Sequence, residues 1–213
     1  MIAPLRPEDI DGAVDLHMRY LTERLSGEPG RRLLRLYYDI LSQGSKGICL
    51  VARDEGQGTI YGMVILRWNG QRLLWDLLRH HPVEVGFWLA CHALRHPLSL
   101  YHLARQLWER RPVKQLLRRL NAQPRWCVLH AIAVASDRRG GVGDSLVQAA
   151  ISEAQAHGFG YMFTSTYETN HAANHLYEKA GFTLLLTTSE GRRRVNWYGR
   201  PLYHPTSHFA RDD

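Results

Sequence analysis

Apolar positions in the first third of the chain follow helical and strand-like spacings in turn. "IAPL" near the start is typical of a short strand, and "RPEDIDGAVDLHMRYLTERL" places apolar residues at helical intervals. "GRRLLRLYYDILSQG" predicts a second helix that ends at Gly44. "GICLVARD" and "TIYGMVILRW" are β-branched runs on either side of "EGQG", and they predict a hairpin.

The last ninety residues repeat this mixture. "RWCVLHAIAVA" predicts a strand, a glycine-rich turn follows it, and a helix then extends to about His157. The remaining predicted elements are a strand "YMFTSTY", a helix "NHAANHLYEKA" that ends at Gly181, and a hairpin that turns at Glu190 and Gly191. The order predicts a mixed α/β (α+β) protein.

The segment between the third and fourth strands has a different pattern. Residues 71–120 are rich in Leu and Arg at near-helical spacing, and Pro82, Pro97 and Pro112 divide them into short helices. We therefore expect residues 1–213 to form a single domain with a helical insertion at about 71–120.

The positive charge of the chain is concentrated in this insertion. The chain carries a net charge of +7, while residues 67–125 contain eleven basic and three acidic side chains. Phosphates, nucleic acid and anionic lipid are all partners for such a segment, but no groove-reading motif accompanies the basic residues, which disfavours nucleic acid. Three roles stay open for the insertion: covering the sheet, closing over an acceptor site, or contacting a membrane or a lipid-linked substrate.

Cysteine usage and the apolar runs indicate a cytoplasmic protein. The three cysteines, Cys49, Cys91 and Cys127, are far apart and odd in number, which favours buried thiols over disulfides. The first ten residues do not have the pattern of a signal peptide. The most apolar window, residues 83–94, is about 12 residues long and shorter than the roughly 20 that a bilayer requires. Peripheral membrane association through the insertion stays an alternative.

The glycine-rich turn "SDRRGGVGDS" is a candidate anion site. It follows a strand and opens a helix, whose first backbone N–H groups are unpaired and carry partial positive charge. A P-loop requires Lys after its last glycine, and no Lys follows Gly143. The dinucleotide fingerprint requires a third glycine that "GGVGDS" lacks. The turn alone leaves an ordinary basic turn as an equal alternative.

Two motifs together resemble the GNAT superfamily of N-acetyltransferases. The turn from Arg138 to Gly143 fits the acetyl-CoA signature R/Q-x-x-G-x-G/A of that superfamily. "NHAANHLYEKAGF", from Asn170 to Phe182, fits the pattern N-x-x-A-x-x-L-Y-E-K-x-G-F at every fixed position. The resemblance covers residues 125–200 well, is diffuse over residues 1–68 and is absent across the insertion. It implies a central mixed, mostly antiparallel twisted sheet with flanking helices.

The resemblance also implies a site for acetyl-CoA. Backbone groups of the strand before the turn would pair with the pantetheine arm, the turn amides would hold the pyrophosphate, and Arg138 would supply charge. Asp144 is an acid at the mouth of this anion site, where it alternatively stabilises the helix dipole. The implied acetyl-CoA contacts are Ile132, Ala133, Val134, Arg138, Arg139, Gly140, Gly141, Val142, Gly143, Asp144, Asn170 and Ala173.

Acetyl transfer to an amine needs a base for the ammonium proton and an acid for the leaving thiolate. The resemblance places the hydroxyl of Tyr177 near the CoA sulfur as the acid; a packed aromatic is the alternative. His130 is the candidate base, because "LHAIAV" resembles a strand of the arylalkylamine N-acetyltransferases in which a histidine serves in proton removal. Alternation along the strand leaves open which way His130 faces. Glu168 is the reserve base, or a solvated loop acid.

Other constellations give weaker signals. His92/His96 and His171/His175 are i, i+4 pairs, but no third ligand has a suitable spacing, so we expect no metal. The basic hairpin "EGRRRVNWYG" is typical of a solvated tip, with contact to the acceptor or the CoA phosphates as the alternative. The expected acceptor is the primary amine of a small molecule, such as an amino sugar. Acetylation of a protein N-terminus or lysine, and a non-catalytic CoA-binding module, are the alternatives.

Overall fold

The described part of the chain folds into a seven-stranded sheet with helices on both faces. The computed structural model describes residues 1–21, 27–44, 46–54, 58–68, 79, 81–95, 125–138, 140–191 and 193–202. The strands are β1 Ile2–Pro4, β2 Gly47–Arg53, β3 Ile60–Trp68, β4 Trp126–Val134, β5 Tyr161–Tyr167, β6 Thr183–Glu190 and β7 Arg193–Pro201. The α-helices are α1 Ile10–Tyr20, α2 Gly27–Ser42, α3 Pro82–Arg95, α4 Val142–Ala156 and α5 His171–Lys179.

The strands are arranged in the order β1-β2-β3-β4-β5-β7-β6. Every neighbouring pair is antiparallel except β4 and β5, which are parallel. The predicted mixed, mostly antiparallel sheet with flanking helices is therefore confirmed.

Alternation along the central strands supplies two apolar layers. On β2, Leu50 and Ala52 belong to the cluster that includes α4 and α5 residues, while Cys49 and Val51 belong to the cluster that includes α1 and α2 residues. Successive side chains of a strand point to opposite faces, so a continuous apolar run fills both layers.

The first predicted helix is shorter than its sequence pattern indicates. A 3₁₀ turn over Pro7–Asp9 precedes α1, which begins only at Ile10. The Asp9 carboxylate accepts a hydrogen bond from the backbone N–H of Arg6 at 3.0 Å and pairs with Arg53 of β2 at 2.7 Å. This buried carboxylate ties the start of the helix to the sheet.

The described part of the insertion lies against α2. Helix α3 begins at Pro82, the residue type favoured in the first turn of a helix. Val85 is fully buried beside Ile40 of α2, while Val83 and Phe87 are exposed. The rest of residues 71–120, including the predicted breaks at Pro97 and Pro112, lies outside the described residues.

Two further findings concern thiols and membranes. The thiols of Cys49 and Cys127 are buried and free, as expected, and burial raises the pKa of both. No helix within the described ranges is long and apolar enough to cross a membrane.

Candidate functional site

The central feature of the site is the separation of β4 from β5. These strands pair at only three positions, of which Val128 opposite Phe163 is the last. Beyond it, β4 continues to pair with β3 as far as Val134, and β5 continues to pair with β7. Within the described residues, the edge of β4 that faces β5 therefore has no strand partner from residue 129 to residue 134. Such an edge presents backbone N–H and C=O groups to an extended ligand.

His130 lies where the two strands begin to separate. In the pairing of β4 with β3, Leu129 lies opposite Leu66 and Ala131 lies opposite Ile65, so His130 is the extra residue of a bulge. Bulges interrupt the alternation of a strand and change the direction of a side chain. The His130 side chain is exposed, although Leu129 beside it is buried. The role of His130 in proton removal stays a prediction.

The glycine turn lies at the other end of the unpaired β4 edge. Gly140 and Gly141 adopt φ values of +126° and +87°, a region that side chains other than glycine rarely occupy. A Cβ atom on either glycine would meet no described atom within 4 Å, so the turn has free space above it. The N–H of Ser145 makes the first bond of α4, to the carbonyl of Gly141 at 2.9 Å. The amides of residues 142–144 precede that bond and are available to an anion.

Partners on neighbouring elements compensate two charges at this turn. The Arg138 guanidinium pairs with the Asp54 carboxylate at 2.8 Å and lies over the ring of Tyr61. Asp144 pairs with Lys179, at the end of α5, at 2.9 Å. The acid at the mouth of the predicted anion site is thus neutralised locally. Arg139 lies outside the described residues.

Tyr177 of α5 is buried in the core cluster that includes Leu129 of β4 and Met162 of β5. Its ring packs between Phe182 and Tyr198, with ring centroids 5.8 and 6.0 Å away. Burial raises the pKa of the Tyr177 hydroxyl, and the hydroxyl of Thr164 on β5 acts in the opposite direction. The phenol therefore stays protonated at neutral pH, as a proton donor must.

The start of α5 is held by side-chain amides. Asn170 caps the helix, since its Oδ1 accepts a hydrogen bond from the N–H of Ala173 at 3.2 Å. The Asn174 side chain donates to the carbonyls of Tyr167 and Asn170, at 3.0 and 2.7 Å. Its own oxygen accepts from Asn196 and Tyr198 of β7, at 3.0 and 2.8 Å. These bonds fix α5, and with it Tyr177, against the end of β5.

Sequence reasoning missed Asn174 and Thr164. Asn174 occupies a variable position of the α5 motif, but it lies one helical turn before Tyr177 on the same face. The sequence did offer one signal for Asn174, because a side-chain amide on the same helix face as Tyr177 is expected to form hydrogen bonds with neighbouring elements. Thr164 in "YMFTSTY" is an ordinary strand residue in the sequence, which carries no signal of its surroundings.

Glu168 lies at the far end of β5 from the point of separation. Its carboxylate pairs with Arg194 of β7 at 3.1 Å. At about 3.3 Å per residue, it lies roughly 13 Å along the chain from Thr164. The pairing explains one arginine of the basic hairpin, and the reserve role of Glu168 as a base stays a prediction.

The described residues contain no group of three or more His, Cys, Asp and Glu side chains arranged to hold a metal ion. His171 and His175 are both exposed on α5. The side chains of His92 and His96 lie outside the described residues.

A family comparison identifies this arrangement. Residues 99–182 match the model of the acetyltransferase (GNAT) family. Over this range the chain is similar to the GNAT family. The matched range begins within the insertion and contains β4, the glycine turn, β5 and α5. Among curated protein sequences, none matches the chain.

Solved structures share the GNAT fold at low sequence identity. A GNAT-family acetyltransferase from Streptococcus pneumoniae is 18% identical with a TM-score of 0.57, over 94% of this chain and 98% of that one. The ribosomal-protein-S18-alanine N-acetyltransferase of Escherichia coli is 16% identical with a TM-score of 0.56, over 98% and 99%. A polyamine N-acetyltransferase from Drosophila melanogaster is 13% identical with a TM-score of 0.63, over 94% and 99%. These similarities establish the fold.

Proposed function

We propose that this GNAT protein transfers the acetyl group of acetyl-CoA to the primary amine of a small molecule. The observation that carries the proposal is the unpaired β4 edge before the glycine turn, whose residues Leu129, Ile132 and Val134 pack in the same core cluster as Tyr177. The residues fit the donor. The turn offers free space and helix-terminal amides to a pyrophosphate, and the β4 edge offers backbone groups to an extended arm.

When bound, acetyl-CoA supplies an activated acetyl thioester whose carbonyl carbon a neutral amine attacks. The backbone of Ile132, Ala133 and Val134 would hold the extended arm, and the amides of residues 140–144 would hold the pyrophosphate. Tyr177 would give its proton to the sulfur as the carbon–sulfur bond breaks. His130, at the bulge, would take the proton of the incoming ammonium group. Asn170 and Ala173, which share a hydrogen bond at the start of α5, would contact acetyl-CoA.

The acceptor class is proposed from the family alone. One structural neighbour is described as a polyamine acetyltransferase that forms N-acetylagmatine, and another as an enzyme that acetylates a ribosomal-protein alanine. The test therefore includes small amines of the polyamine type and a peptide with an N-terminal alanine, together with an amino sugar. The described residues of the insertion provide no support for membrane contact, which we do not propose.

The test measures CoA release and acetylated product with acetyl-CoA and four acceptors: agmatine, spermidine, glucosamine and a peptide with an N-terminal alanine. We expect one of the small amines to be acetylated. Tyr177→Phe should lower turnover about 100-fold with unchanged acetyl-CoA affinity, since a general acid contributes roughly 10²- to 10⁴-fold.

Three results would redirect the proposal. Acetylation of the peptide alone would favour a protein acetyltransferase. Acetyl-CoA binding without any acetylated product would favour a non-catalytic CoA-binding module. Equal turnover by Tyr177→Phe and the wild type would remove Tyr177 as the acid.

A further inference from the structure

The hydroxyl of Thr164 is a buried polar group that the fold does not explain. The residue is 1% exposed, and among the described residues its Oγ1 atom has no hydrogen-bond partner. A buried hydroxyl without a partner destabilises a fold by about 1–3 kcal/mol. Such a group in a native structure points to a role that outweighs this loss of stability.

Thr164 lies at the point where the strands separate. It follows Phe163, the last β5 residue that pairs with β4, and it lies opposite Tyr198 in the pairing with β7. Because side chains alternate along a strand, Thr164 shares the face of Met162, which packs in the same core cluster as Tyr177. Thr164 therefore lies one position past the last β4–β5 pair and opposite Tyr198, whose ring packs against that of the proposed proton donor, Tyr177.

The relation between the two hydroxyls is specific. Thr164 is close enough to lower the pKa of Tyr177 against the rise that burial causes, although their present geometry is not that of a formed hydrogen bond. The neighbouring Tyr198 hydroxyl cannot take this place, because it already donates toward Asn174 and Glu178, at 2.8 and 3.1 Å. Thr164 is thus the uncommitted hydroxyl beside Tyr177.

We propose that Thr164 is a positioning residue for Tyr177, donating a hydrogen bond to the Tyr177 oxygen as that oxygen loses its proton. The inference rests on the proposed function, in which Tyr177 is the acid. As the new carbon–nitrogen bond forms and the carbon–sulfur bond breaks, the phenol proton passes to the sulfur. Thr164 then donates to the phenolate oxygen without losing its own proton. The base takes one proton of the ammonium group before the attack, and the second nitrogen proton is lost to solvent through the base as the tetrahedral intermediate collapses. The phenolate regains its proton from solvent.

The first test replaces the hydroxyl by a methyl group of similar shape. With acetyl-CoA and the panel amine of highest turnover, Thr164→Val should lower kcat about 10-fold, the loss expected for a hydrogen bond to a charged group. The KM for acetyl-CoA should not change, and Thr164→Ser, which keeps the hydroxyl, should stay within about threefold of the wild-type kcat.

The stability of Thr164→Val should not fall with its turnover. Thr164→Val removes an unpartnered buried hydroxyl, so its free energy of unfolding in urea should equal or exceed that of the wild type. A variant that is at least as stable but slower separates a positioning role from a structural one. Marked destabilisation by Thr164→Val would assign the hydroxyl to the fold and overturn the inference.

The pH profile and a double variant complete the test. Without Thr164, the pKa of Tyr177 rises further, so the alkaline limb of kcat should move to higher pH in Thr164→Val. In a Tyr177→Phe background, Thr164→Val should have no further effect on kcat. If Tyr177→Phe is slow while Thr164→Val matches the wild type, this inference fails and the proposed function stands. If Tyr177→Phe matches the wild type, the assigned acid and this inference fail together.

Discussion

At the scale of single residues, the bulge at His130 changes the direction of the side chain that we propose as the base. In a regular strand, side chains after the buried Leu129 would point alternately to the two faces of the sheet. The inserted residue, His130, interrupts this alternation. The exposed imidazole lies two positions beyond Val128, where β4 and β5 part. Thr164 lies one position beyond the last pair on β5. The proposed base His130 and the buried Thr164 therefore both lie close to the point where β4 and β5 separate.

His130→Ala tests this placement. Only a neutral imidazole accepts a proton, so wild-type kcat/KM should fall at acid pH. The variant should lose this acid limb and about 100-fold in kcat/KM at pH 7.5. The measurement is CoA release from pH 5.5 to 9, with His175→Ala, an exposed position on α5, as the control. A variant profile that superimposes on the wild type would transfer the role to Glu168 or to water.

The sequence predicted the chemistry of some of these residues and not of others. Tyr177, Gly141 and Gly143 lie at fixed positions of the two motifs, so residue type and spacing were sufficient to select them as candidates. The position of Thr164 depends on where β4 and β5 stop pairing. The hydrogen bonds of Asn174 depend on which β7 side chains contact α5. Both are consequences of contacts between distant segments, which no local pattern contains.

At the scale of elements, a buried hydrogen-bond chain joins α1 and α2 to the sheet. His17 of α1 is 8% exposed, and its Nδ1 lies 2.7 Å from the Tyr38 hydroxyl of α2. The Tyr38 hydroxyl donates in turn to the sulfur of Met63 on β3, at 3.3 Å. Burial lowers the pKa of His17 to about 4. The imidazole is therefore neutral in the folded protein over most of the accessible pH range.

This chain predicts an acid-sensitive packing of α1 and α2. In the unfolded chain a histidine has a pKa of about 6.5, so between that pH and about 4 the unfolded state binds a proton that the folded state does not. Stability is complete above pH 6.5 and is lost as the pH falls. From pH 7 to pH 5 the loss should be about 2 kcal/mol.

His17→Gln, which keeps hydrogen-bonding groups but does not titrate, should lose about 2 kcal/mol less over that range in urea unfolding. His171→Gln, at an exposed position, should follow the wild type. Parallel pH curves for wild type and His17→Gln would contradict this assignment.

Most elements were predictable from apolar spacing, but their arrangement was not. The strand runs and the hairpins follow from alternation, and Gly44 and Gly181 end helices with φ values of +71° and +80°. The insertion of β7 between β5 and β6 depends on long-range pairing. The 3₁₀ turn before α1 includes Asp9, whose ion pair with Arg53 joins segments that are distant in the sequence.

At the scale of the whole molecule, the two faces of the sheet carry different parts of the structure. The face with α4 and α5 carries the glycine turn and Tyr177, while the other carries α1 and α2, with α3 of the insertion against α2. The position of the insertion between the third and fourth strands was evident from its composition. Its contact with α2 was not, because the spacing of apolar residues in a helix does not specify which surface the helix covers.

The central claim is that acetyl-CoA binds along β4 with its pyrophosphate at the glycine turn. Gly143 offers a matched pair of variants at this turn, because an added Cβ would lie 3.6 Å from a methyl group of Leu176, an ordinary contact. Gly143→Ala should therefore keep the site. Gly143→Glu adds a negative charge to the first turn of α4, at the proposed pyrophosphate site, while an acid at a helix start is compatible with folding.

The deciding measurement is the change in Tm on adding acetyl-CoA. At about 100 times Kd, binding contributes about 2.7 kcal/mol, which corresponds to roughly 5–10 °C for a domain of this size. Wild type and Gly143→Ala should show this rise. Gly143→Glu, with an unliganded Tm near that of the wild type, should show none. An equal rise in Gly143→Glu, or no rise in the wild type, would contradict the account.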